Sequence, residues 1–225
     1  MNERKRAAAC LALQAAVILG ECLGIALSAA QLRVLMFTYY TCDSNILLML
    51  AAAAEVYFCL RVLTGRERAL PRRLLMLRYC ATCAAALTLL VVVLIFVPMS
   101  GPGAFRQLLL TGSLKYLHLL CPLLGLLGFL FLEDLSWLRL RHTLYAMVFT
   151  VVYAAVIVIL NLTGTVTGPY PFLLVYAQPV WASVLWAAVI LGTAWLIAAG
   201  LYLVKKRRRK HAAHFVSTHS FQGHP

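Results

Sequence analysis

The chain reads as an all-α, polytopic integral membrane protein with six transmembrane helices and both termini on the cytoplasmic side. Two observations predict this. First, six long apolar stretches, 7–28, 44–63, 79–98, 113–132, 143–160 and 180–204, fill most of the 225 residues, and each has about the 17–25 residues that cross a hydrocarbon core as a helix. Second, threading these stretches through a bilayer puts seventeen of the twenty Lys and Arg residues on one face, leaving only Arg33, Arg106 and Lys115 on the other. Basic residues in short loops stay cytoplasmic, so the asymmetry fixes orientation and, because dropping or adding one helix would destroy it, supports the count of six.

Composition excludes most other classes. A chain that is 63% hydrophobic and 12% charged is not a soluble globular domain, and the six spans leave no room for one. The net charge of +13 follows from the positive-inside bias and attraction to anionic headgroups, so nucleic acid is not an expected partner; membrane lipids are. The first stretch is long enough to span and lacks a small-residue cleavage site, so residues 1–6 (MNERKR) are expected to anchor the first helix in the cytoplasm. A bacterial plasma membrane is the expected location.

The elements follow in order. In span one, Gln14, Glu21 and Ser28 recur every seven residues and share a stripe, while Gly20-x-x-x-Gly24 suits close helix packing. Span two opens on a polar run, Tyr40-Thr41-Cys42-Asp43-Ser44-Asn45, in which Thr41 and Asn45 share a face. Thr41 lies deeper if that helix begins near Val34. Glu55 lies toward the cytoplasmic end, near Arg61, as a paired or snorkelling carboxylate. Gly65 and Pro71 break the 64–73 turn. Pro98, Gly101, Pro102 and Gly103 make 99–112 an outer loop. Span four carries His118 near its outer end, with Pro122 four residues on. The outer segment 161–179 has no basic residue yet is apolar and rich in Gly, Pro and Tyr. It reads as a cap or re-entrant lid containing Asn161, Tyr170 and Phe172, with a plain interfacial loop as the alternative. Asn161-Leu162-Thr163 matches a glycosylation sequon but abuts the membrane. Residues 205–225 form a basic cytoplasmic tail with His211, His214, His219 and His224. The seven cysteines lie almost wholly within spans, which argues against a disulfide framework. Cys80 and Cys83 read as small packing residues. No metal and no cofactor is expected.

Ionisable groups inside lipid each cost ~2.5–3.5 kcal/mol on insertion scales, so they mark sites. Glu21, Thr41 and His118 fall at matching depth in the outer half. A hydroxyl facing an imidazole can act as nucleophile and general base, with Asp43, Asn45, Ser44 or Glu21 orienting the pair. Tyr40, Pro122, Asn161, Tyr170 and Phe172 would line the pocket or its lid. The same ionisable groups suit a carrier or channel for a proton, ion or small solute. There is no G-x-S-x-G, no H-E-x-x-H, no Walker loop and no cofactor fingerprint.

At three places the chain resembles the androgen-induced-protein-like family of six-helix membrane proteins and its bacterial relatives. These are the run Tyr40-Thr41-Cys42-Asp43-Ser44-Asn45, the His118 to Pro122 segment, and the cluster Gly168-Pro169-Tyr170-Pro171-Phe172. The likeness spans about residues 35–200. Some animal members are threonine hydrolases that cleave fatty acid esters of hydroxy fatty acids with one Thr and one His. The resemblance implies those roles for Thr41 and His118, and a lipid ester or other apolar ester as substrate. A structural membrane protein of another role is the third expectation.

Overall fold

The computed structural model describes the backbone of residues 3–220 and the side chains of 3–208. It is 82% helical with no strand among the described residues. Among the described residues, seven α-helices of seven or more residues follow one another: α1 (Glu3–Leu32), α2 (Tyr40–Leu63), α3 (Arg72–Val91), α4 (Ala104–Leu110), α5 (Cys121–Phe131), α6 (Thr143–Leu162) and α7 (Val180–Ser220). Five are long and apolar enough to cross a membrane. The pair Ala104–Leu110 and Lys115–Phe131, bent by 84°, makes a sixth when taken as one broken span. The tail histidines lie outside the residues whose side chains are described.

The first helix shows how the sequence builds the bundle. Its buried residues are Ala7, Cys10, Gln14, Val17, Glu21, Gly24 and Ser28, alternating by three and four. That spacing keeps one seam facing a partner helix, and the polar heptad Gln14, Glu21 and Ser28 lies within it. Gly20 and Gly24 are where α1 meets the segment leading into α5. A Cβ at Gly24 would stand 2.7 Å from Leu117 Cδ2, and one at Gly20 would stand 2.7 Å from Cys121 Sγ. The small-residue motif therefore serves packing within the chain, because only a missing side chain lets the two backbones approach this closely.

Two prolines reshape spans that hydropathy draws as straight helices. Pro98 and Pro122 have no N–H to give to the carbonyls of Leu94 and His118, four residues back. In each case the helix widens into a π-turn ending two residues before the proline, at Val92–Phe96 and at Lys115–Leu120. His118 sits on the second of these. Two boundaries also differ from expectation. The chain from Arg33 to Thr38 forms a 3-10 turn continuing α1, and α2 starts only at Tyr40. Thr41 is therefore a first-turn residue rather than one deep in a helix begun at Val34. The expected 99–112 loop contains α4, started by Gly103 in the left-handed region at φ 85°.

At the Lys/Arg-rich end, three buried charges form a cluster. Arg78 Nε lies 2.9 Å from Glu55 Oε2 and 3.2 Å from Glu133 Oε1, all with fully buried side chains. Glu55 thus pairs with Arg78; Arg61 instead contacts Glu67 and Tyr57. Arg78 is a core cation, not a loop residue adding to the surface charge. Lys205 Nζ closes the cluster by donating to the carbonyl oxygens of Glu133 (2.7 Å) and Leu130 (3.2 Å). Removing one member of such a group strands the others in the core, at a cost of about 3–5 kcal/mol. Burial pushes the Glu133 carboxyl above its ordinary range, while Arg78 and Lys205 pull it back.

A candidate nucleophile and base at the start of α2

At the opposite end, α2 and the π-turn before α5 bring Thr41 and His118 together. Thr41 Oγ1 lies 3.3 Å from His118 Nε2, and His118 Nδ1 lies 2.8 Å from the carbonyl oxygen of Leu108. A carbonyl only accepts, so Nδ1 must carry the proton. That leaves the Nε2 lone pair facing the Thr41 hydroxyl, the tautomer a general base needs. Both residues are buried.

Asn45 holds the two halves in register. Its Nδ2 donates to the carbonyl oxygens of Thr41 (2.7 Å) and Leu117 (2.8 Å), linking the turn that bears the hydroxyl to the residue before the imidazole. Ser44 Oγ lies 3.2 Å from the Thr41 carbonyl oxygen, to which it donates, and 2.9 Å from Thr88 Oγ1 on α3. The expected supporting roles of Asn45 and Ser44 thus act on the backbone around the pair rather than on the imidazole.

The other supporting residues fall elsewhere. Glu21 is fully buried, but its carboxylate sits beside the Cys121 thiol and neither oxygen is hydrogen-bonded. It faces α5 one turn beyond His118, so equal depth does not bring it to the ring. Asp43 points off the shared face of Thr41 and Asn45; it is only half-buried and has no side-chain bond to either member of the pair. The group that orients His118 is the Leu108 carbonyl of α4, which no side-chain pattern announces.

An apolar cavity of about 130 Å3 opens on the Thr41 side. It lies among α2, the end of α3, α6 and α7, and Tyr40, Thr41, Tyr170 and Phe172 are in its wall. His118 stands behind Thr41, outside the lining. Pro122 and Asn161 are outside it too. Pro122 shapes the π-turn, and Asn161 pins the segment after α6 by donating to Val166 O at 3.2 Å and accepting from Val175 N–H at 3.3 Å.

The segment after α6 packs over the cavity. Tyr170 stacks on Phe96 and Phe172, with centroids 5.5 and 5.2 Å away, and Phe172 reaches Trp186 at 5.5 Å. The Tyr170 hydroxyl accepts from the Thr41 N–H at 3.5 Å. This ties the segment to the start of α2. Burial pushes the Tyr170 phenol up to about 12, with Thr41 hydrogen bonding opposing the rise, so it stays a neutral hydroxyl.

Tyr153, from mid-α6, adds a partner that hydropathy conceals among apolar neighbours. Its hydroxyl donates to Thr38 O at 2.6 Å and accepts from Tyr40 N–H at 3.0 Å, while Tyr40 Oη meets Thr150 Oγ1 at 2.8 Å. These bonds fix the start of α2, whose first N–H groups have no partner within the helix itself. Comparison with protein-family models, curated proteins and solved structures finds no match for this chain.

Proposed function

We propose that the chain is a six-span membrane hydrolase of lipid or other apolar esters, with both termini cytoplasmic and the Thr41 end outward. Thr41 is the nucleophile and His118 its general base. The observation that carries this reading is the Thr41–His118–Leu108 relay, in which each hydrogen-bonding role follows from the one before. The resemblance to threonine hydrolases of the androgen-induced-protein-like family supports the same two roles.

In this reading His118 Nε2 takes the hydroxyl proton as Thr41 Oγ1 bonds to the ester carbonyl carbon. The carbonyl π electrons move to oxygen, giving a tetrahedral oxyanion. That oxygen finds the Tyr170 O–H and the positive end of α2, since the start of a helix carries roughly half a positive charge. Collapse expels the alkoxide, which takes the proton from His118, and leaves an acyl-threonine. Water, deprotonated by the same imidazole, then hydrolyses it and restores Thr41. The apolar wall of the cavity suits a hydrocarbon chain. A neutral carbonyl behind His118 stabilises the imidazolium less than a carboxylate would, so slow turnover is expected.

The test is labelling by a fluorophosphonate and ester turnover in reconstituted protein. The wild type reacts in both, and Thr41→Ala and His118→Ala do not. A carrier of protons or ions is the second reading, favoured by one observation: Glu21 is fully buried with neither carboxylate oxygen hydrogen-bonded. Proton or ion flux that Glu21→Gln abolishes, with no labelling at Thr41, would favour it.

A further inference from the structure

At the other end of the bundle, Cys10 on α1 and Glu55 and Cys59 on α2 bring two thiol sulfurs and a carboxylate oxygen within 4.8 Å of one another. All three are fully buried. We propose that these residues form a zinc site bridging α1 and α2, independent of the Thr41–His118 pair.

The donor set has the right chemistry. Zn²⁺ binds thiolate sulfur at about 2.3 Å and carboxylate oxygen at about 2.0–2.2 Å, so two sulfurs on one tetrahedral ion lie about 3.8 Å apart. The three donor atoms, all within 4.8 Å of one another, stand near this spacing. Two thiols and one carboxylate disfavour Mg²⁺ and Ca²⁺, which take oxygen ligands. Glu55 and Cys59 are four residues apart on one face of α2 and Cys10 faces them. Gln14, one turn beyond Cys10, is fully buried with both amide atoms unpartnered, and its oxygen is the donor we assign to the fourth position.

A second observation points the carboxylate at a ligand. Arg78 Nε pairs with Glu55 Oε2 at 2.9 Å, yet neither buried oxygen of Glu55 has a hydrogen-bond partner. Ligating carboxylates are themselves held by outer-shell partners, the place Arg78 takes beside Glu55. Charge closes as well. Counting Glu55 and Glu133 as carboxylates paired with the Arg78 and Lys205 cations, the metal-free cluster with both thiols protonated carries no net charge. Zn²⁺ displaces the two thiol protons and contributes +2 against two thiolates. The buried cluster stays neutral, so no uncompensated charge enters the core. A monovalent ion replacing both protons would leave it unbalanced.

The experiment is cobalt substitution in the full-length protein in nanodiscs, prepared with a chelator. Co²⁺ should give one equivalent of tetrahedral d–d absorption with a thiolate-to-cobalt charge-transfer band, and Zn²⁺ should displace it. The tail histidines cannot produce the thiolate band. Cys10→Ser and Cys59→Ser should each weaken Zn²⁺ binding on the order of a hundredfold, and Glu55→Gln about tenfold. Cys80→Ser and Cys83→Ser should leave binding unchanged. Should a serine variant fail to insert, the wild-type spectrum still decides. The absence of a charge-transfer band, its persistence in both serine variants, or a Cys10–Cys59 disulfide in freshly purified protein would overturn the proposal.

Discussion

Replacing Asn45 with Ala separates positioning from chemistry at the Thr41 site. Asn45 touches no reacting atom, yet it donates to the carbonyl oxygens of Thr41 and Leu117 at 2.7 and 2.8 Å. Two buried hydrogen bonds are worth about 1 kcal/mol each net, and a carbonyl left without its donor costs a further ~1–3 kcal/mol. Against this, the variant removes Asn45 Oδ1, itself buried without a partner. The Thr41 carbonyl keeps a donor in Ser44 Oγ, so only Leu117 loses its clamp. The net expectation is a destabilisation of about 1–3 kcal/mol, read by denaturant titration of the reconstituted protein. The 3.3 Å Thr41–His118 approach should loosen as well. A displacement near 1 Å costs about a hundredfold in rate, so fluorophosphonate labelling should slow by ten- to a hundredfold. Asn45→Asp keeps the shape but gives a carboxylate no proton to donate and should be worse on both readouts. Wild-type stability and labelling rate in Asn45→Ala would refute the clamp.

Two further outcomes follow. Tyr170→Phe removes the hydroxyl nearest the Thr41 amide while keeping the aromatic stack. Turnover should fall about 10²–10³-fold, the usual loss for one oxyanion donor, with stability little changed; an unaltered rate would take Tyr170 out of the mechanism. For topology, a single cysteine at residue 68 in a Cys-free background should resist impermeant thiol reagents in intact cells, whereas one at residue 106 should react; labelling of residue 68 from outside would reverse the proposed orientation.

What was legible in the sequence, and what was not, divides along physical lines. Hydropathy finds apolar stretches because lipid demands continuous ones, and five helices are long and apolar enough to cross a membrane, with a sixth span only as a bent pair. Their interruptions were harder to see. The π-turns before Pro98 and Pro122 come from a missing N–H acting several residues upstream, and the prolines marked them. The 3-10 turn Arg33–Thr38 has no such marker and moved the start of α2 to Tyr40. At the site, Thr41 and His118 were legible because polar side chains in apolar spans need a reason. Glu21 satisfied the same rule and proved to face Cys121, because depth along a helix axis says nothing about azimuth around it. The Leu108 carbonyl was invisible in principle, since every residue carries one. Arg78 was hidden by its position: at the edge of a basic loop it counts as surface charge, although it lies in the core with Glu55 and Glu133.

In the proposed mechanism Thr41 is a nucleophile activated by His118. The most direct measurement is the site of phosphonylation in fluorophosphonate-treated protein, mapped by mass spectrometry across wild type, Thr41→Ser, Thr41→Ala and His118→Ala. One adduct per chain is expected, on Thr41. Retained or faster modification is expected at Ser in Thr41→Ser, where the oxygen survives without the methyl group, and none in either Ala variant while each still inserts. An adduct at another residue, or labelling of Thr41 at the wild-type rate without His118, would contradict that mechanism.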